Sequence, residues 1–440
     1  MGSSAIKNSI SEMRRWINVD LVLDRNPVPS DYFGVLWALA GIKNALVLEH
    51  GATGTNFYNN TSFRVMNNQS PKGIIFSTGL DEDDVVMGRE EKLFEAAGEL
   101  DRAYHPDVIS LVATAVTSVI GLDLHGIIQE LQPRINAKLL AFPGGGFRGN
   151  YLQGIKEVFS VLADEVTEPA GRVPCSVNII GPTIDSFNIP SDSAELIRLL
   201  FLLGIRVNTV FTYNTSVHEI AGLSSAALNI VTRDIALDTA ERLQERFGTP
   251  YLYGLPFGLR GTVTWLEEIS QLIGLPLPCR EIAGELKKYG HTLAELASIW
   301  QQYTHLKVAI SCPYDYALGL TRLIMREWEI TVVLVSLPEV PENRDAKELF
   351  TGLGIKRVLI APPVEELRTV MTEVNPHVIF GNSDDLQLVP EVPIRIHAAM
   401  PSYDCLTLFD GTPYVGFRGS LYLTQTLLNE ISCHREVLLP

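Results

Sequence analysis

Five cysteines and nine histidines are the residues of this chain best suited to metal or nucleophilic chemistry. Cys175, Cys279, Cys312, Cys405 and Cys433 are scattered, with no C-x-x-C pair or other metal-ligand spacing. In a reducing compartment that pattern reads as buried free thiols. The histidines include no H-E-x-x-H, and His218 and His397 read as satisfied polar residues before ligands. Ser224, in "GLSSA", lacks the closing glycine of a nucleophile elbow and lies in a helical pattern. Gly144, Gly146 and Gly149 have the G-x-G-x-x-G spacing of a dinucleotide fingerprint, after a strand and before a helix. The acidic residue expected at the end of the next strand is replaced by Gly181-Pro182-Thr183, so the loop reads as a close-packed strand-to-helix turn. With no G-x-x-x-x-G-K-[ST] anywhere, no nucleotide is expected to be bound by this chain.

What remains is a set of strand ends. "VLEHGATGTNFYNN" breaks from an apolar run into His-Gly-x-x-Gly-Thr, which presents backbone at Gly51 and Gly54. The elements that must position it belong to a chain of 440 residues, 46% hydrophobic and 20% charged, enough for two or three well-packed domains. Short β-branched runs alternate with helical patterns, which predicts an α/β fold with mostly parallel sheets buried on both faces. Strands are expected at "NALVLE", "GIIFS", "DVISLV", "KLLAF", "SVNIIG", "RVNTVF", "LKVAIS", "TVVLVS", "RVLIA", "HVIF" and "IRIHA". Boundaries at "TEPAGRVP" and at the polar helix "HTLAELASIWQQYTH" divide the chain into three Rossmann-like units, 1–170, 171–305 and 306–440. In such sheets ligands sit outside the carboxyl ends of the strands.

A net charge of −16 disfavours nucleic acid or an anionic membrane as partner. The longest apolar stretch, "DVISLVATAVTSVIGL", falls short of the roughly 20 residues a spanning helix needs. "MGSSAIKNSISEMRRW" has no signal-peptide core, so a cytoplasmic location is expected.

Eight loops in order, from "SDYFGVLWALAGIKNALVLEHGATGTNFY" through "FSTGLDEDDVVMG", "HPDVISLVATAVTSVIGLDL", "FPGGGFRG", "VNIIGPT", "FGTPYLYGLPFGLRGTVTWLEEI" and "HVIFGNSDD" to "GFRGSLYLTQTLLNEI", resemble the successive loops of the nitrogenase component 1 superfamily. The superfamily includes nitrogenase subunits, their assembly scaffold and the light-independent protochlorophyllide reductases. The resemblance implies three Rossmann-like domains and a homologous second subunit, in a heterodimer or heterotetramer. It also implies electrons delivered by a separate ATP-dependent iron-sulfur reductase, and an iron-sulfur cluster at the subunit interface. The acidic run "GLDEDDVVMGREEKL" would lie near the reductase-docking face, or is a solvated helix start.

The family's cluster cysteines fall, by local alignment, on Ser30, on Thr55 after the Gly51–Gly54 turn, and on Ala115 after Thr114. None is a thiolate, and iron needs a soft, anionic ligand. The resemblance therefore implies a cluster ligated mainly by the partner, with Asp31 the nearest carboxylate on this side or simply a helix-start residue. The nitrogenase cofactor's cysteine would align near Thr212, and His397 is the nearest candidate for its histidine. An oxidoreductase subunit is the expected function. A cofactor-assembly scaffold or carrier without turnover, and a diverged metal-free Rossmann-like binding protein, stay open as alternatives, and the substrate is not specified.

Overall fold

Strands that are apolar on both faces need helices on both sides, and the computed structural model shows three such sheets in succession. It describes residues 28–52, 54–55, 74–296, 300–339, 345–402, 404–405, 407, 409–434 and 436. The amino-terminal stretch read above for a signal peptide lies outside the described residues.

The chain enters through a short strand, β1 (Ile42–Lys43), and builds its first sheet from β2 (Ala45–His50), β3 (Ile74–Ser77), β4 (Val108–Ala113) and β5 (Lys138–Phe142), in the order β3-β2-β4-β5. Every residue of β2 and β4 is buried. The second sheet uses β6 (Val173–Ile180), β7 (Arg206–Val210), β9 (Ala226–Val231) and β10 (Tyr251–Tyr253), in the order β10-β9-β6-β7. Between β7 and β9, the two-residue β8 (Thr215–Ser216) pairs with β1 and joins the first two units. The third sheet, β11 (Lys307–Ser311), β12 (Thr331–Leu337), β13 (Val358–Ile360), β14 (Val378–Gly381) and β15 (Ile394–His397), runs β13-β12-β11-β14-β15.

All pairings within these sheets are parallel. In each sheet the first strand has later strands on both sides, so the connections diverge and leave a crevice at its carboxyl end: β2/β4, β6/β9 and β11/β14.

The cores cross the unit boundaries. Val177 and Ile179 of β6 pack in one cluster with Ile310 and Phe380 of the third sheet. The next residue, Ile180, joins a second cluster with Val47, Val112 and Phe142 of the first sheet, as strand alternation requires. The last helix, Gly416–Cys433, packs on the Gly258–Ile273 and Cys279–Glu295 helices. The polar stretch 291–305 proves to be the end of the Cys279–Glu295 helix followed by a 3₁₀ turn, Gln301–Tyr303.

In the first unit the Asp31–Leu39 and Tyr151–Val161 helices touch backbone to backbone. A Cβ on Gly34 would lie 1.8 Å from the Tyr151 carbonyl oxygen, and one on Gly154 would lie 1.9 Å from that of Asp31. Only glycine fits at either contact.

Candidate functional site at the strand ends

At the carboxyl edge of the first sheet, His50 lies opposite Ala113 in the β2–β4 register, so Gly51 and Thr114 meet just beyond it. A Cβ on Gly51 would sit 2.4 Å from the Thr114 methyl. The hydroxyls here bond to backbone: Thr114 and Thr117 both donate to the His50 carbonyl at 3.0 Å, and Ser77 donates to the Gly51 carbonyl at 2.9 Å. Thr78 Oγ1 accepts from the Gly51 amide at 3.2 Å and lies 3.1 Å from His50 Nδ1. Burial drops the His50 pKa to about 4 against the opposing pull of Asp84, so the imidazole is neutral near pH 7.

The Gly144–Gly146 loop after β5 fills the space between this edge and the amino-terminal helix. A Cβ on Gly145 would meet Ser118 Oγ at 1.9 Å, and one on Gly146 would lie 3.2 Å from Ser30 Oγ. Both glycines have positive φ, 63° and 98°, which the tight turn requires. Ser30 thus faces the Thr114–Ser118 segment across the loop. Ser30 occupies the N-cap position of the Asp31–Leu39 helix without a side-chain cap bond. Asp31 Oδ1 accepts the Arg148 amide at 3.1 Å, while its Oδ2 is buried without a hydrogen-bond partner. Thr55 donates its amide to the Ala52 carbonyl at 3.1 Å and is half-buried; Gly54 and Ala115 are exposed.

The sequence-predicted positions Ser30, Asp31, Gly51, Gly54, Thr55, Thr114 and Ala115 therefore belong to one end of one sheet. Their donor set is hydroxyls, a methyl and a single carboxylate. The free cysteines lie elsewhere, and only Cys312, just past β11, is the buried thiol the sequence suggests; Cys175 in β6 and Cys405 in the loop after β15 are half-buried, and Cys279 and Cys433, at the ends of helices, are exposed. Among the described residues no group of three or more His, Cys, Asp or Glu could hold a metal. These residues do not fit an iron-sulfur cluster held by this chain alone. Exposed apolar side chains, Val86, Met87, Val116, Val119, Ile120 and Phe147, follow β3, β4 and β5 at the same end.

The β6/β9 and β11/β14 crevices meet in a cleft of two chambers. One, of about 200 Å³, has apolar walls that include Trp37, Phe187, Leu196, Leu255 and Met400. The other, of about 290 Å³, is lined by Asn150, Gln153, Lys156 and Asp234. Tyr151, Arg233, Pro313, Asp315, Pro338 and Glu339 line both and form the partition between them.

Arg233, just past β9, is held by Thr183 Oγ1 at 2.8 Å and Ser186 Oγ at 3.1 Å, and by both Asp185 oxygens at 3.2 Å. Asp315, in the first turn of the Tyr314–Arg326 helix, accepts the Asp234 amide at 3.3 Å and the Tyr253 hydroxyl. Burial raises Asp315 to about 7, with Asp234 adding to the effect. Burial also lifts Glu339 to about 7, opposed by Arg233. Asp192 is pushed to about 7 by burial as well, against hydrogen bonds from the Tyr316 hydroxyl and the Tyr414 amide. Those bonds tie the Ile189–Leu202 helix to the third unit. The cleft suits a largely apolar molecule beside carboxyl groups that burial keeps partly protonated near pH 7.

Thr212 stands in the left-handed region at φ 63°, buried, its hydroxyl donating to the Pro182 carbonyl at 3.3 Å behind the cleft wall. His397 ends β15; its Nε2 is 2.8 Å from Asp404 Oδ1 and 3.4 Å from Ser383 Oγ, and the apolar chamber begins at the following residue, Ala398. Ser224 falls in a 3₁₀ turn, Gly222–Ser225, and bonds to the Glu168 carbonyl.

Arg233, Asp315 and Glu339 are absent from the residues singled out by sequence. Asp315 and Glu339 follow strands the sequence identifies, and the strand-end rule points at both. Arg233 is hidden because "AALNIV", with two alanines and an asparagine, is not among the strands expected from sequence; it is β9, joined to β6 partly by a side-chain bond from Asn178 to Asn229 at 2.7 Å.

The family model of nitrogenase component 1 type oxidoreductases matches residues 30–432. A light-independent protochlorophyllide reductase subunit of Nostoc punctiforme is 25% identical over 427 residues, covering 92% of this chain and 82% of that protein. Its counterpart in Trichormus variabilis is 26% identical over 422 residues, with coverage of 92% and 82%. Among solved structures, nitrogenase Cp1 at pH 6.5 superposes with a TM-score of 0.78 over 94% of this chain and 95% of that one, at 18% identity. No described helix is long and apolar enough to cross a membrane. With the family model matching nearly its whole described length, the chain belongs to the nitrogenase component 1 type oxidoreductase family.

Proposed function

We propose that the chain is one subunit of a nitrogenase-like reductase complex. A homologous second subunit docks on the carboxyl edge of the first sheet and supplies most of the cluster ligands. An ATP-dependent iron-sulfur protein delivers electrons, and the reduced substrate occupies the cleft between the second and third sheets. The observation that carries the reading is the first-sheet crevice. Its glycine loop, its Gly51 turn and its ring of exposed apolar residues favour a built contact surface, yet its side chains are hydroxyls where a cluster needs sulfur.

Anaerobic purification of the chain alone and co-expressed with a candidate second subunit, followed by iron analysis, tests this. Iron in the mixed complex only, together with ATP-dependent reduction, is the expected result. Iron bound by the single chain and passed on to another protein would instead mark an assembly carrier. A stable, iron-free homo-oligomer that ignores the second subunit would overturn the proposal. The triple variant Ser30→Cys, Thr55→Cys, Ala115→Cys should take up iron on its own under reconstitution, where the unmodified chain does not.

A further inference from the structure

Trp37 and Tyr151 stand side by side on the wall of the apolar chamber, their rings edge to face with centroids 5.3 Å apart. Each rides on one of the two helices that touch backbone to backbone, one turn from the glycine that permits the contact: Trp37 from Gly34, Tyr151 from Gly154. Tyr151 opens its helix, and its amide donates to the Pro29 carbonyl at 2.9 Å. The close approach of the helices therefore fixes both rings.

Each side chain also has a polar hydrogen with no protein acceptor. Trp37 is 4% exposed, and its indole Nε1 is buried without a hydrogen-bond partner. The Tyr151 hydroxyl has no hydrogen-bond partner among the described residues. Burial, with Glu339 and Asp185 adding to it, holds that hydroxyl above its usual range, so it keeps its proton. An indole N–H only donates, and a donor shut away from water without an acceptor is costly. Two such donors on one wall of an open chamber are accounted for by an acceptor that arrives with a ligand.

The rest of the lining decides what kind of acceptor. Its acidic side chains, Asp185, Asp192, Asp315, Asp384 and Glu339, outnumber its one basic side chain, Arg233, while Lys156 borders the polar chamber only. Arg233 is itself engaged by Thr183, Asp185 and Ser186. Such a lining opposes a ligand carboxylate or phosphate and leaves a neutral oxygen unopposed.

We infer that Trp37 and Tyr151 are the specificity pair of the apolar chamber, and that its ligand is a largely apolar molecule with a neutral carbonyl oxygen, which accepts from the Tyr151 O–H and the Trp37 N–H. The inference rests on the reading that seats the substrate in this cleft, and it adds the functional group by which that substrate is oriented.

Calorimetric titration of the purified full chain with acetylnaphthalene, ethylnaphthalene and naphthoate, all substituted at the same ring position, tests the pair without any partner. The ketone should bind about tenfold more tightly than the hydrocarbon, and the carboxylate most weakly. Tyr151→Phe keeps its ring against Trp37 and should erase most of the ketone's advantage while leaving the hydrocarbon's affinity unchanged. Trp37→Phe should reduce that advantage as well. The infrared C=O band of the bound ketone should lie below its position in hexane and move back up in Tyr151→Phe. Equal binding of ketone and hydrocarbon, tightest binding of the carboxylate, no binding of any of the three, or an advantage that survives both substitutions would overturn the inference. A ketone preference in a chain that forms no active complex would remove the reductase reading alone. An active complex whose chain lacks that preference would remove the specificity pair alone.

Discussion

The β2/β4 crevice of the first unit and the paired β6/β9 and β11/β14 crevices arise from the same topology, and they have opposite contents. In the first, threonine and serine hydroxyls bond to backbone carbonyls, a glycine loop fills the gap, and the one histidine is kept neutral. In the second, the crevice stays open and holds carboxyl groups raised toward neutral pH around a half-buried arginine. Sheet order fixes where a site can form. Side chains at the strand ends decide whether it becomes a contact surface or a reaction chamber.

Substitutions that break one region and spare the other sharpen the contrast. The largest effect should follow Arg233→Met, which leaves Asp185 buried without its partner; a loss of about 3–5 kcal/mol in urea unfolding is expected. A loss below about 1 kcal/mol would mean the guanidinium is not the charge that holds the cleft. Next comes Gly154→Ala. The added methyl must push the Asp31–Leu39 helix off its neighbour, costing about 1–3 kcal/mol in a thermal melt and loosening the first crevice only.

The pH dependence should run in opposite directions. Asp315 and Glu339 have folded pKa values near 7, above the ordinary carboxylate range, so their contribution is complete below about pH 4 and is lost as pH rises through 7. His50, lowered to about 4, contributes above about pH 6.5 and loses that contribution as pH falls through 4. Melting temperature against pH should therefore lose part of its alkaline limb in Glu339→Gln, the rest persisting through Asp315 and Asp192, and keep its acid limb. The reverse pattern would refute the assignment of the two limbs. The smallest effect is expected for Thr114→Val, about 1 kcal/mol from one lost hydroxyl-to-carbonyl bond, read by chemical denaturation.

Strands with β-branched, two-sided apolar runs were legible: all eleven expected from sequence are present, including the five of the third sheet. The four missed were short or atypical. β1 and β8 have two residues each, β10 has three, and β9 is built around Ala226, Ala227 and Asn229. Missing β9 hid Arg233, and with it the charge that organises the cleft. A close backbone approach at the first crevice was legible in the glycines at strand ends, and Gly51, Gly145 and Gly146 all show it, whereas Ser30, Thr55 and Ala115 were singled out only through the family resemblance. The partition was not, since Tyr151, Arg233, Asp315 and Glu339 come from three units and meet only through the stacking of sheets.

That stacking has a mechanical consequence. Because alternate residues of β6 are embedded in separate interiors on either side, the middle slab cannot rotate against one neighbour without tearing dense packing away from the other. Molecules therefore reach the open chambers without jaw-like swinging of whole lobes, and the chain should melt in a single cooperative step.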